Sequence, residues 1–131
     1  MLRPVLVLDS DEAYPDGKGK EYYLNLLVNE STPYHDAIPD MLKTYDPVTG
    51  LWPESPGYSF GTIQMLLDWA APLKRAGIDI IAGNPILQKA AMAVFPWMDD
   101  AANMVVFGDS RGGSANFQTF ENLLAYYAGI T

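Results

Sequence analysis

Residues 59–77 read Ser59-Phe-Gly-Thr-Ile63-Gln-Met-Leu66-Leu-Asp-Trp-Ala70-Ala-Pro-Leu-Lys-Arg-Ala-Gly77. Phe60, Ile63, Leu66, Leu67 and Ala70 recur with the helical period, so the stretch predicts a helix with one buried face. Ser59 is the expected cap, Pro72 a point of kinking and Gly77 the stop. Working outward, the pattern stays helical. Pro33 or Asp36 opens a segment reaching Tyr45, with Ile38, Met41 and Leu42 on one face. Residues 46–50, Asp-Pro-Val-Thr-Gly, form a turn in which Pro47 fixes its φ and Gly50 accepts a positive one.

On the C-terminal side, Asn84-Pro85 reads as a cap with proline in the first turn of a helix that runs to about Phe95. Residues 104–107, Met-Val-Val-Phe, read as a short strand. Ser114 or Asn116 then caps a last helix through Tyr127, with Phe117, Phe120, Leu123, Leu124 and Tyr127 on its apolar face. On the N-terminal side, residues 4–9 read as a short strand or buried coil, 11–20 as a loop and 21–28 as a helix broken by Pro33. The expected fold is mainly α, with four or five helices, one or two very short strands, and loops rich in Gly, Pro and aromatics.

The chain has 131 residues and is 49% apolar, enough for a core of its own. Eight basic and 16 acidic residues give a net charge of −8, which argues against nucleic acid as a partner, since little positive charge is there to displace counterions from phosphates. With no cysteine there is neither a disulfide framework nor a thiolate metal site. No apolar run approaches the length of a membrane span, and the first residues lack the pattern of a secretory signal. No metal and no cofactor are expected.

Residues 50–61, Gly-Leu-Trp52-Pro-Glu54-Ser-Pro-Gly-Tyr58-Ser-Phe-Gly, concentrate chemistry in a shaped loop. Two prolines and three glycines mould the backbone and present Trp52, Glu54 and Tyr58 at the mouth of the following helix. A tryptophan offers a flat face for a sugar ring, a glutamate an acceptor, and a tyrosine a donor that can also pass a proton. The plain alternative is a structural loop whose aromatics plug the core.

Residues 46–62 resemble the "D-x-D-G-x-Y-P-E-G-P-G-Y-x-x-Y-G" stretch of heparinase II/III-like polysaccharide lyases, which joins two helices of an α/α toroid. Phe95-Pro-Trp-Met followed by Val106-Phe-Gly-Asp-Ser110 is similar to the segment that follows in that family. The resemblance covers residues 36–128 and implies helical hairpins joined by long loops. It makes the chain a single incomplete domain, an arc of the toroid over residues 33–131, with residues 1–32 an unassigned N-terminal extension. It further implies β-elimination of an acidic polysaccharide, Tyr58 as the proton-transfer residue, Trp52 and Glu54 as substrate-binding residues, and a periplasmic or extracellular setting. Polysaccharide or oligosaccharide is then the expected partner, and open helix edges are expected to support self-association.

The sequence departs from that pattern in ways that bear on activity. Trp52 stands where the pattern has Tyr, Ser55 where it has Gly, and Phe60 where it has a second Tyr. The asparagine and histidine that assist the family's chemistry have no counterpart, and the lone His35 reads as a capping or surface residue. The isolated chain is therefore expected to be inactive. A non-catalytic carbohydrate-binding or scaffold domain is the alternative, and the net charge favours a neutral ligand for it. A toroid glycoside hydrolase is the third reading, pairing Glu54 with Asp68 or Asp99 across a cleft.

Smaller motifs point elsewhere with less support. Val105-Val-Phe-Gly-Asp-Ser110 resembles the opening block of SGNH esterases, but no Asp-x-x-His follows it. Asp9-Ser-Asp11 is similar to the dyad of haloacid-dehalogenase-like phosphatases, without the α/β surroundings. Arg111-Gly-Gly is a candidate anion nest, and Asn29-Glu-Ser a glycosylation sequon.

Overall fold

The computed structural model describes residues 2–109 and 112–130, and these are mainly helical, with seven α-helices, two 3-10 turns and no β-strand among them. The chain divides into two compact units at Lys43/Thr44.

The first unit holds α1 (Leu2–Leu6), a 3-10 turn (Asp11–Ala13), α2 (Lys20–Val28) and α3 (Ile38–Leu42). The segment 4–9, expected as strand or coil, begins inside α1. Pro4 is compatible with this because a proline in a first helical turn forfeits no hydrogen bond. Asp11 organises the start of α2: its Oδ1 accepts from the backbone N–H of Gly19 (2.9 Å) and Tyr22 (3.0 Å), while Glu21 Oε2 accepts from the Asp11 N–H (3.0 Å). The bracket brings two backbone stretches together so closely that a Cβ at residue 19 would lie 2.6 Å from the carbonyl carbon of Ser10. Asp11 is thus a capping carboxylate in a helical unit, and the phosphatase-like reading of Asp9 and Asp11 finds no sheet to support it.

α3 is shorter than the expected helix reaching Tyr45. Residues 32–35 close a turn through Thr32 and His35, and the Ala37 N–H donates to Ser31 Oγ (2.9 Å), which delays the helix until Ile38. Asp40, bonded to Lys43 and to the Ser31 hydroxyl, has its carboxyl held below the usual range by these donors, Lys43 first. His35 Nε2 donates to the Leu26 carbonyl (3.1 Å), so the lone histidine ties the turn to α2. Asn29, the sequon residue, caps α2 and bonds the Asn25 side chain (2.9 Å).

The second unit is built along α4 (Pro56–Arg75), against which α5 (Ile80–Gly83), α6 (Ile86–Met92) and α7 (Gln118–Tyr127) pack. The periodicity read from the sequence is the buried face of α4: Phe60, Ile63, Leu66, Leu67 and Ala70 are all buried, joined by Pro56, Ser59 and Leu73. The helix begins three residues before the expected cap. Ser55 occupies the cap position, Pro56 the first turn, and the N–H groups of Tyr58 and Ser59 turn back to the Ser55 carbonyl (both 3.1 Å). Its end follows the glycine-stop pattern, with Gly77 at φ +85°, its N–H on Lys74 O and the Ile78 N–H on Leu73 O (both 2.9 Å).

Asn84 closes α5 instead of opening α6, its Nδ2 donating back to the Ile80 carbonyl (2.8 Å), while Asp79 caps the start of α5 by accepting from the Ala82 N–H (2.9 Å). The expected strand at 104–107 is absent. Met104 makes one isolated bridge with Met98, and Val105, Val106 and Phe107 remain exposed. What shapes that region is Asp99, whose carboxylate accepts from the Ala101 (2.9 Å) and Asn103 (2.8 Å) N–H groups and the Asn103 amide (3.2 Å). These three donors, first among them the Asn103 backbone N–H, hold the Asp99 carboxyl below its ordinary value. Asn116 sits just before α7 and accepts from the Gln118 N–H (3.0 Å), close to its expected capping role.

Candidate functional site

The loop at residues 50–61 is held from both ends. Upstream, Asp46 closes its turn by accepting from Val48 N–H (3.0 Å), Thr49 N–H (2.6 Å) and Thr49 Oγ1 (2.8 Å), donors that depress its carboxyl, the Thr49 N–H most of all. The turn is fastened to α6 twice. Lys89 Nζ donates to the Pro47 carbonyl (2.6 Å), and Gly50 lies so near α6 that a Cβ there would be 2.7 Å from Lys89 O. Gly50 is also at φ +75°, so two independent constraints favour glycine.

Within the loop the three predicted residues have different surroundings. Trp52 is half-buried, its ring edge-on to that of Tyr45 at 5.2 Å and 62°. Part of the ring is therefore engaged in packing, as the plain structural alternative expected. Glu54 is exposed and its Oε1 accepts from the Ser55 N–H (3.2 Å), so the carboxylate folds back on its own loop. Tyr58, in the first turn of α4, is 56% exposed, and its backbone carbonyl accepts from Thr62 Oγ1 (3.1 Å). All three thus fall within one short loop and helix start, each with a surface open to solvent.

Tyr45 is the residue that sequence reasoning missed. It stands at the end of a helical pattern, yet it is only 2% exposed and its hydroxyl donates to the Ser59 carbonyl (2.8 Å). Burial pushes its phenol well above the ordinary value, outweighing its hydrogen bonds with Ser59 and Thr62, and keeps it a donor. Tyr45 is the internal post on which Trp52 leans.

The two segments that carried the family resemblance meet in space. A Cβ placed on Gly108, in the Phe107-Gly-Asp109 stretch, would lie 3.3 Å from Ser55 Cβ. Phe107 in turn meets Trp97 edge-on (5.7 Å, 84°). Beneath the junction Ser55 is 4% exposed, and its hydroxyl has no hydrogen-bond partner. A cavity of about 10 Å³ lies between Leu51, Phe60, Ala90 and Trp97, room for no more than about one water.

The other expected participants are engaged elsewhere. Asp68 Oδ1 accepts from the Asn122 amide of α7 (2.9 Å), and Asp99 closes its own loop, so both carboxylates have structural work independent of Glu54. Ser110 and Arg111 lie outside the described residues. Among the described residues no cluster of His, Asp and Glu is placed to hold a metal, and no helix is long and apolar enough to cross a membrane. No family model matches the chain, and neither does any curated protein or solved structure.

Proposed function

We propose that this chain is an arc of an α/α toroid from a carbohydrate-active protein of the heparinase II/III-like kind. In this reading Trp52 and Glu54 line the saccharide surface and Tyr58 transfers the proton of a β-elimination. The observation that carries it is the meeting of residues 50–61 with residues 107–109 at Ser55 and Gly108, since the resemblance rested on these two separate segments. The openness of Tyr58 also supports it, because a phenol that must reach a bound uronate has to project from the scaffold. A phenol so placed contributes about 10²–10⁴-fold by proton transfer once a complete cleft surrounds it. The uronate carboxylate must also be neutralised as charge develops on it, and residues 50–61 hold no Lys, Arg or His for that.

The chain alone is expected to release no unsaturated uronate from heparin, chondroitin or alginate, while oligosaccharides perturb tryptophan fluorescence and the amide signals of residues 50–61. Trp52→Ala should weaken that binding by about 10-fold or more, and Tyr58→Phe should leave it nearly intact. The reading fails if no acidic or neutral oligosaccharide perturbs the loop. A second reading, a non-catalytic binder of neutral saccharides, is favoured by the net charge of −8, which repels polyanions. Preference for neutral over sulfated oligosaccharides would decide for it.

A further inference from the structure

One side of α7 carries an apolar stripe that the second unit covers only at Phe120, whose ring stacks on that of Phe60 (5.7 Å, 26°). Phe117, Phe120, Leu124 and Tyr127 are spaced by three, four and three residues, the interval of the a and d positions of paired helices. The adjoining side of α7, with Thr119 and Leu123, is buried, so the stripe is a second face of an already packed helix. Leu124 is 69% exposed, and Phe117 and Tyr127 are more than half exposed.

The stripe is continuous with α6 and the turn after it. Phe95 lies 4.8 Å from Phe120, Phe120 lies 6.3 Å from Phe117, and Tyr127 Oη donates to Gln88 Oε1 of α6 (2.9 Å). Met92, one helical turn beyond Gln88, extends the surface and is also about half exposed. These contacts hold the rings in place before any partner arrives, which lowers the ordering entropy of association.

We propose that this surface is the interface of a homodimer in which two copies of the chain pack α7 stripe against α7 stripe. Area argues for a second copy. The five half-exposed side chains, Met92, Phe95, Phe117, Leu124 and Tyr127, present about 100 Å² each, giving about 500 Å² per copy and about 1,000 Å² per pair. That meets the lower bound for a specific interface and is the size of a weak, reversible one. Chemistry argues the same way, because the six side chains carry no charge and α7 holds a single carboxylate, Glu121 at the edge of the stripe, so few charges oppose one another there although the chain carries −8. A two-fold axis through the stripe sets the same apolar surface on both sides, as an isologous contact requires.

Sedimentation velocity on the full chain, from low to high micromolar, should show the mass rising from monomer to dimer. Leu124→Glu should raise the dissociation constant about 10- to 100-fold with an unchanged helical spectrum, since the side chain is mostly outside the core. Phe117→Ser serves as the second variant should that spectrum change, with the same weakening expected. Tyr34→Glu, at a 98% exposed position in the first unit, should leave the association as it is. A monomer at every concentration overturns the proposal, and so does a dimer that survives both stripe variants.

Discussion

Ser55 presents an unusual circumstance for a helix-capping position. A serine there ordinarily accepts from the helix's free N–H groups, and its replacement by alanine costs about 1 kcal/mol. Here the side chain makes no capping bond and its hydroxyl is buried without a partner. Ser55→Ala should therefore leave stability unchanged or raise it by about 1 kcal/mol, measured by urea denaturation. A loss of that size would mean that the hydroxyl is satisfied after all. Gly50 sits at the other extreme. Gly50→Ala must adopt a left-handed backbone and push into the Lys89 carbonyl, so a loss of about 2–4 kcal/mol is expected in the same measurement. Neither circumstance was legible in the sequence. Ser55 was noted only as a departure from the family's glycine, and the approach of Gly50 to α6 is a contact across 39 positions of chain.

At the scale of elements, α4 was the most legible because twenty residues give a period room to repeat. Its cap lies four residues before the expected one because Ser59 has the chemistry of a cap but is spent inside the core. α1 was too short to show any period, and the 98–117 region is shaped by the side chain of Asp99, which hydropathy does not register. Of the site, Trp52, Glu54 and Tyr58 could be named because their loop is local, whereas Tyr45 and Gly108 enter through distant contacts. Tyr45 also supplies a prediction. Its phenol titrates higher when folded than unfolded, so the stability it confers is intact below about pH 10, the unfolded value, and falls as pH rises beyond it. Tyr45→Phe should lose about 1 kcal/mol at neutral pH with the Ser59 bond, and lose most of that alkaline dependence. Asp79 behaves with the opposite sign. It caps α5 and accepts from Tyr126 of α7 (3.0 Å), and the Ala82 N–H above all holds its carboxyl down. Its contribution is present above about pH 4 and is lost on acidification below that, which Asp79→Asn should flatten in an acid melt.

For the whole molecule, charge sets the terms of any association. Two copies at −8 each repel at long range, while the apolar stripe of α7 attracts only on contact. Added salt screens the first and leaves the second, so the dimerisation proposed above should tighten as ionic strength rises toward about 0.15 M. Sedimentation across a sodium chloride series would read this directly. Weakening with salt would indicate ion pairs, not apolar packing, as the source of cohesion. The mainly helical class was readable from composition and periodicity, while the division at Lys43/Thr44 was not, since no run of glycine, serine or charge marks it.

The double fastening of the 46–50 turn to α6 gives the loop that follows the mechanical character of a bracket. A flap closes over what it binds and must lose freedom to do so. A segment already pinned at Gly50, and seated against Gly108 at Ser55, has little left to lose. A ligand laid across Trp52 and Tyr58 would meet a prepared bench, arriving and leaving without waiting for the protein to rearrange.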